Sequence, residues 1–305
     1  LKNQTAGQAP IYWLVLIVLA FIWGSSFILM KRALFDPEGN PAMSNFDVAA
    51  IRLVIASLLL SFWGIRTIKK LKVSDIVPLL LVGFCGNAFP AILFTTAQLH
   101  IDSLLAGILN SLTPVFTLLI AMFIFGIRYA PIQILGVFIG LLGAIGLIVN
   151  QPGGLTGEPG YAALIVLATL LYAVSVNTIR NRLAHFNAFE IAGTSLLFVF
   201  PVAMTVLLVK GDPTSFAETN EYAWQALGSV TLLAMFGTAL ALVLFNHLIA
   251  GTSAIFAASV TFVMPVFAIM WGVLIQEKLT FGHIIWTLVI LSGVYLVNRK
   301  KVAKA

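Results

Sequence analysis

Residues 106–116 read AGILNSLTPVF and residues 257–267 read AASVTFVMPVF. Each segment opens on small residues and closes on Pro-Val-Phe, at an offset of 151 residues (265 − 114). A second pair lies close to the same spacing: WGSS at 23–26 matches YAVS at 172–175, and Lys31 matches Arg180. Self-similarity at a fixed offset marks an internal repeat. The chain is therefore read as two similar halves.

Both copies of the motif lie inside long apolar runs. A helix crossing the hydrocarbon core needs about 20 mostly apolar residues. Runs of that kind are read at 11–30, 46–65, 76–97, 103–125 and 131–149, and again at 160–179, 188–209, 224–247, 252–275 and 281–298. The composition agrees. Of 305 residues, 60% are hydrophobic and 9% are charged, with a mean hydropathy of +1.05. A soluble surface needs roughly 25% charged residues, so the outside of this protein is expected to face lipid. Barrel strands would be alternating segments of about ten residues, whereas these runs are continuously apolar and longer. The expected fold is all-α and integral to the membrane, with ten transmembrane helices. The run from Ile11 to Met30 has no small-residue cleavage pattern after it and is read as a first helix, not a signal peptide.

Lysine and arginine set the orientation, because cytoplasmic loops carry an excess of both. With ten spans, one face holds Lys2, Arg66, Lys69, Lys70, Lys72, Arg128, Arg180, Arg182, Arg299, Lys300, Lys301 and Lys304. The other holds Lys31, Arg32, Lys210 and Lys278. Both termini are expected in the cytoplasm. Each half has five spans, an odd number, so the second half must enter the membrane in the opposite sense. Inverted-topology repeats are common in secondary transporters, with the binding site near the midplane between them.

At these residues the chain resembles the drug/metabolite transporter superfamily, in its ten-helix EamA-type branch. The resemblance rests on WGSSF at 23–27, AIR at 50–52, the small-residue runs into Pro114-Val-Phe116 and Pro265-Val-Phe267, and the QEKLT turn at 276–280. It implies two EamA units, at 12–149 and 160–298, with a central pocket among spans one, three, four, six, eight and nine. It also implies solute movement, often export of amino acids or other metabolites, from the inner (plasma) membrane. In one place the chain departs from the pattern. Ile127 stands where the first unit often has an acid, which leaves Glu277 alone in that role. Four-helix relatives that export cationic drugs use a glutamate deep in their first helix. No acid lies within 11–30, so that mechanism is not carried over.

Several polar and aromatic residues inside the spans are candidates for substrate binding. Arg52 is the most pointed: a charge at a helix centre costs about 2.5–3.5 kcal/mol on insertion scales and meets a partner or a wet cavity, and the place of Arg52 in the first turns of its span lowers that cost because arginine can snorkel. Two readings stand: contact with an anion such as a substrate carboxylate, or a structural pair with Asp47 or Asp102. Asn110 and Thr113 precede Pro114, and Thr261 precedes Pro265. Proline removes a backbone hydrogen bond and frees the carbonyl four residues earlier. Pro114 and Pro265 are thus expected helix kinks, and their helices either wall a pocket or are static bends. Trp23, Tyr172, Asn177 and Trp271 could add stacking and hydrogen bonds, or serve as packing and interfacial anchors. Asn87 is a further polar candidate in span three.

The lone Cys85 leaves no disulfide framework, and the scattered histidines show no metal spacing. No Walker A, nucleophile elbow or dinucleotide pattern occurs, so no catalytic residue, metal or cofactor is expected. The expected partners are a small-molecule solute and the lipid bilayer, with no nucleic acid. The architecture is compatible with a coupling proton or ion and leaves the oligomeric state open. The leading reading is a secondary transporter working by alternating access, exporting amino acids or related solutes. Its rivals are an uncoupled facilitator or channel, a lipophilic-cation exporter, a membrane scaffold and an intramembrane enzyme.

Overall fold

The computed structural model describes residues 10–101, 103–149, 158–209, 222–274, 281–297 and 299. Ten helical segments follow one another. In the first half these are α1 (Pro10–Leu34), α2 (Asn45–Ile68), α3 (Val73–Ala97), α4 and α5 (Pro131–Val149). In the second they are α6 (Pro159–Arg182), α7 (Ala188–Val209), α8 (Ala223–Gly251), α9 and α10 (Phe281–Val297). α4 and α9 are each made of two pieces. α4 runs Ser103–Asn110 and Thr113–Phe123, and α9 runs Ala254–Ala258 and Val260–Leu274. Among the described residues six helices are individually long and apolar enough to cross a membrane. The protein is an all-α, multi-span membrane protein.

Its polarity is inverted relative to a soluble domain. Leu14, Leu58, Phe62, Val77, Phe123, Leu142, Leu208 and Leu288 are exposed, while Asn87, Asn110, Thr113, Thr117, Asn177, Thr194 and Thr261 are buried. A hydrocarbon solvent explains both halves of this pattern. Apolar side chains gain nothing by hiding from lipid, and polar side chains must find partners inside the bundle.

The packing follows a two-fold pattern. α2 lies against α7, and α5 against α10, so counterparts in the two halves meet each other. α1 packs on α8 and α9, while α6 packs on α3 and α4. Glycines let the central pair approach closely. A Cβ on Gly64 would stand 2.6 Å from the Gly193 carbonyl oxygen, and one on Gly193 would stand 2.7 Å from the Leu60 carbonyl oxygen. α2 starts at a defined point, because the Ser44 hydroxyl accepts from the Asp47 amide at 3.0 Å.

Loops meet as a ten-span path requires. At one end Lys70 pairs with Glu190, and His185 Nε2 lies 3.2 Å from Asp75 Oδ1. At the other end the His100 ring stacks on Tyr161 at 3.7 Å, and its Nδ1 lies 3.5 Å from Glu158. Asp36 sits in an exposed turn, and its carboxyl is held below the usual range by the Asn40 side chain that hydrogen-bonds to it. Asp102 and the turn carrying Glu277 lie outside the described residues.

The close α2–α7 approach gives a test. Gly64→Val or Gly193→Val forces backbone apart and should destabilise the protein by about 1–3 kcal/mol. Gly228→Ala adds a methyl where nothing lies within 4 Å and should leave stability unchanged. Thermal unfolding of the purified protein in detergent measures both. Equal Tm for all three variants would contradict this packing.

Candidate functional site

Among the described residues four helices are irregular, and they are irregular where the bundle is polar. α3 widens into a π-helical turn at Phe84–Ala88, and α8 does so at Leu233–Leu240. Such segments loosen the regular ladder and recur at functional positions. The repeat offset carries Gly86 and Asn87 onto Gly237 and Thr238. These paired positions make paired contacts. A Cβ on Gly86 would meet the Ser175 hydroxyl on α6, and one on Gly237 would meet the Ser26 hydroxyl on α1. Each π-helical turn thus rests on the first helix of the other half.

α4 is interrupted at Ser111–Leu112, not bent at its proline. Pro114 lies in the first turn of the second piece, where no amide hydrogen is needed. The Asn110 carbonyl accepts the Thr113 hydroxyl at 2.8 Å. α9 is interrupted at Ser259, and Pro265 sits inside its second piece. The carbonyl that Pro265 would leave free is that of Thr261, which accepts the Ser111 hydroxyl from the break in α4 at 3.3 Å. Asn110 Nδ2 lies 3.7 Å from the Met264 sulfur. The two interrupted helices therefore face each other across the centre, and Ser111 of α4 completes the backbone bonding of α9.

Between these irregularities lies a cavity of about 110 Å³, bounded by α1, α2, α3, α4, α6, α7, α8 and α9. At roughly 10–15 Å³ per water, it has room for several waters or a small solute. Its walls include Trp23, Phe27, Phe94, Tyr172 and Phe245, with Asn87, Asn110, Thr113 and Thr261 among the polar groups. Trp23 Nε1 donates to the Gly237 carbonyl at 3.0 Å, and its ring meets Phe245 edge-on at 5.0 Å. Tyr172 is tilted against Phe94 at 6.1 Å. Asn87 Nδ2 donates to the Val82 carbonyl at 3.2 Å, across the π-helical turn.

Arg52 also lines this cavity. Its Nε donates to the Thr238 hydroxyl at 2.5 Å, and that hydroxyl donates in turn to the Leu233 carbonyl at 3.3 Å. Among the described residues no carboxylate forms an ion pair with Arg52, and Asp47 serves the start of α2 through Ser44. A cation held in an aromatic, amide-rich cavity attracts an anion strongly, because little water screens it. Among the described residues no three His, Cys, Asp or Glu side chains cluster so as to hold a metal.

Seven of the nine candidate side chains therefore share one cavity: Trp23, Arg52, Asn87, Asn110, Thr113, Tyr172 and Thr261. Asn177 and Trp271 lie elsewhere. Asn177 is fully buried and donates to the Thr117 carbonyl at 3.0 Å and the Ala173 carbonyl at 2.9 Å, tying α6 to α4. Trp271 Nε1 donates to the Ser25 hydroxyl at 2.8 Å. Sequence reasoning missed Thr238, which anchors Arg52, although the repeat offset from Asn87 leads to it. It also left α2 and α7 off the cavity wall, where Arg52 and Ser195 place them.

Comparison with known proteins comes from three directions. The model of the EamA-like transporter family matches residues 10–149 and again residues 160–299. The uncharacterized inner membrane transporter YedA of Escherichia coli K12 is 27% identical over 94% of this chain and 92% of its own length. The "probable terminal-alkyne amino-acid exporter" of Streptantibioticus cattleyicolor is 24% identical over 95% of this chain and 94% of its own. A solved crystal structure superposes with a TM-score of 0.71 over 95% of this chain and 96% of that one, at 16% identity, which speaks for the fold alone.

The two kinds of buried asparagine should separate experimentally. Asn177→Ala removes the α6–α4 tie at about 1–3 kcal/mol and should lower Tm while leaving the KM for solute uptake unchanged. Asn87→Ala should raise KM severalfold at matched protein level. Equal effects of both variants on KM would argue against the cavity as the solute's place.

Proposed function

Because the chain belongs to the EamA-like transporter family, we propose that it is a secondary transporter that exports small carboxylate-bearing metabolites, amino acids or related solutes, by alternating access. The observation that carries this reading is Arg52: a guanidinium at membrane depth, lining an aromatic cavity and without a described carboxylate partner. A solute carboxylate on Arg52 would supply the missing negative charge, and arginine suits it because its planar fork matches a carboxylate. Trp23, Tyr172 and the surrounding phenylalanines would hold the solute's apolar body. Asn87, Asn110, Thr113 and Thr261 would take its remaining polar groups.

The paired architecture supports the alternating step. On this reading residues 12–149 and 160–298 are two inverted five-helix repeats, and the cavity lies on their pseudo-two-fold axis. Two similar halves can then pack in two similar ways, each opening the cavity to one side. The contacts of Gly86 with Ser175 and of Gly237 with Ser26 are placed to alternate in such a motion. The basic-residue asymmetry supports both termini in the cytoplasm, and inner-membrane residence accords with the E. coli relative's name. Amino-acid export accords with the name of the Streptantibioticus relative.

Expression in a bacterial host against a panel of toxic solutes tests this. The protein should confer resistance to toxic carboxylate-bearing analogues in that panel. Arg52→Ala at matched expression should abolish it, because losing a desolvated charge partner costs about 2–5 kcal/mol, a weakening of at least thirtyfold. Resistance to lipophilic cations that survives Arg52→Ala would contradict the proposal and favour a drug-type pocket.

A further inference from the structure

The cavity's charge inventory says more than that an anion fits. Among its described lining residues Arg52 is the only side chain charged at neutral pH, and there is no Asp, Glu, His or Lys. The remaining polar groups are amides, hydroxyls and an indole. Two consequences follow. The first concerns the solute. A zwitterion would bring its ammonium into a cavity that already holds a guanidinium and offers no described carboxylate, leaving one uncompensated positive charge. A monoanion leaves none. The second concerns coupling. A proton that travels with or against the solute needs a group that changes protonation near neutral pH, and the described lining of the cavity supplies no such group.

Resting on the carboxylate-exporter reading above, and narrowing its solutes to carboxylates that carry no ammonium group, we propose that the protein is an uncoupled exporter of small organic monoanions, and that the membrane potential drives it by acting on the empty, cationic carrier. With the solute absent, the central cavity carries Arg52's charge. With a monoanion bound, Arg52 is neutralised and the moving site is electrically neutral. Outward passage of the loaded carrier is then indifferent to the potential. Return of the empty carrier moves positive charge toward the negative cytoplasm and is accelerated by it. The sum over one cycle is one negative charge exported, with no ion gradient consumed. A unit charge crossing 100 mV sustains a concentration ratio of about 50-fold. The same inventory makes exchange of one monoanion for another electrically silent, because the empty carrier never crosses.

Three probes share a phenyl body and differ in charge: phenylpyruvate (an anion), phenylalanine (a zwitterion) and phenethyl-trimethylammonium (a cation). Proteoliposomes in sodium-free buffer at equal pH inside and out would take up each probe under potassium diffusion potentials set with valinomycin. Protein-free liposomes serve as the blank. Phenylpyruvate should accumulate about 50-fold at 100 mV inside positive and be excluded to the same degree at the reverse potential. Its counterflow exchange should have the same rate at either potential. Phenylalanine transport in place of phenylpyruvate would overturn the inference and leave the carboxylate reading standing. So would phenylpyruvate accumulation driven by a pH or sodium gradient at zero potential, or exchange that speeds up with potential. Failure of every carboxylate probe to enter above the blank, or uptake of the cation alone, would overturn the carboxylate-exporter reading itself and this inference with it. Arg52→Gln distinguishes the site from leakage and should abolish phenylpyruvate uptake.

Discussion

Backbone amides and carbonyls cannot be left unpaired in hydrocarbon, and the rest of this structure depends on that constraint. Regular helices satisfy it alone. Four helices here are not regular: α3 and α8 widen into π-helical turns, and α4 and α9 are interrupted. Their loosened backbone must be completed from elsewhere in the protein. Thr113 completes the Asn110 carbonyl, Ser111 the Thr261 carbonyl, and Trp23 the Gly237 carbonyl. Two of these three bonds cross from one half of the chain to the other. The polar cavity is the place where these irregular segments converge. An interior built to satisfy broken helices is thereby furnished with the hydroxyls, amides and indole that a solute can use.

Arg52 stands on that foundation. A charge in the first half of α2 is tolerable only where the protein supplies polar surroundings, and the π-helical turn of α8 supplies Thr238 to hold its Nε. The arginine and its anchor come from opposite halves of the chain. A motion that changed how the halves pack would also change how the guanidinium is held, and on the proposed reading this would link solute binding to the conformational step. The distorted stretch of α8 thus carries two contacts at once, the Gly237 carbonyl that accepts from Trp23 and the Thr238 hydroxyl that accepts from Arg52.

Most of the architecture was legible because its cause is one-dimensional. Apolar runs of spanning length, breaker residues between them and the Pro-Val-Phe echo all follow from what lipid demands of a chain. The lining of the candidate cavity was legible through rarity: a charged or amide side chain inside an apolar run is expensive, so Arg52, Asn87 and Asn110 stood out. Three features were not legible. The interruption of α4 falls at Ser111–Leu112, before the proline that announces it, because a proline is most comfortable in the first turn of the next helix. The π-helical turns carry no composition of their own and show only when Gly86 and Gly237 are seen to pack against serines. Asn177 looked like a binding residue because burial of an amide is costly wherever it occurs. Its hydrogen bond to the Thr117 carbonyl joins α6 to α4, while the one to Ala173 stays within α6.

An experimental structure of the protein with phenylpyruvate bound would test the central claim most directly. The account predicts the carboxylate on the Arg52 guanidinium, the ring among Trp23, Tyr172 and Phe245, and no acidic side chain of the protein within ion-pair distance of Arg52. An Arg52 paired with Asp47 or Asp102, with the solute seated away from it, would contradict the account.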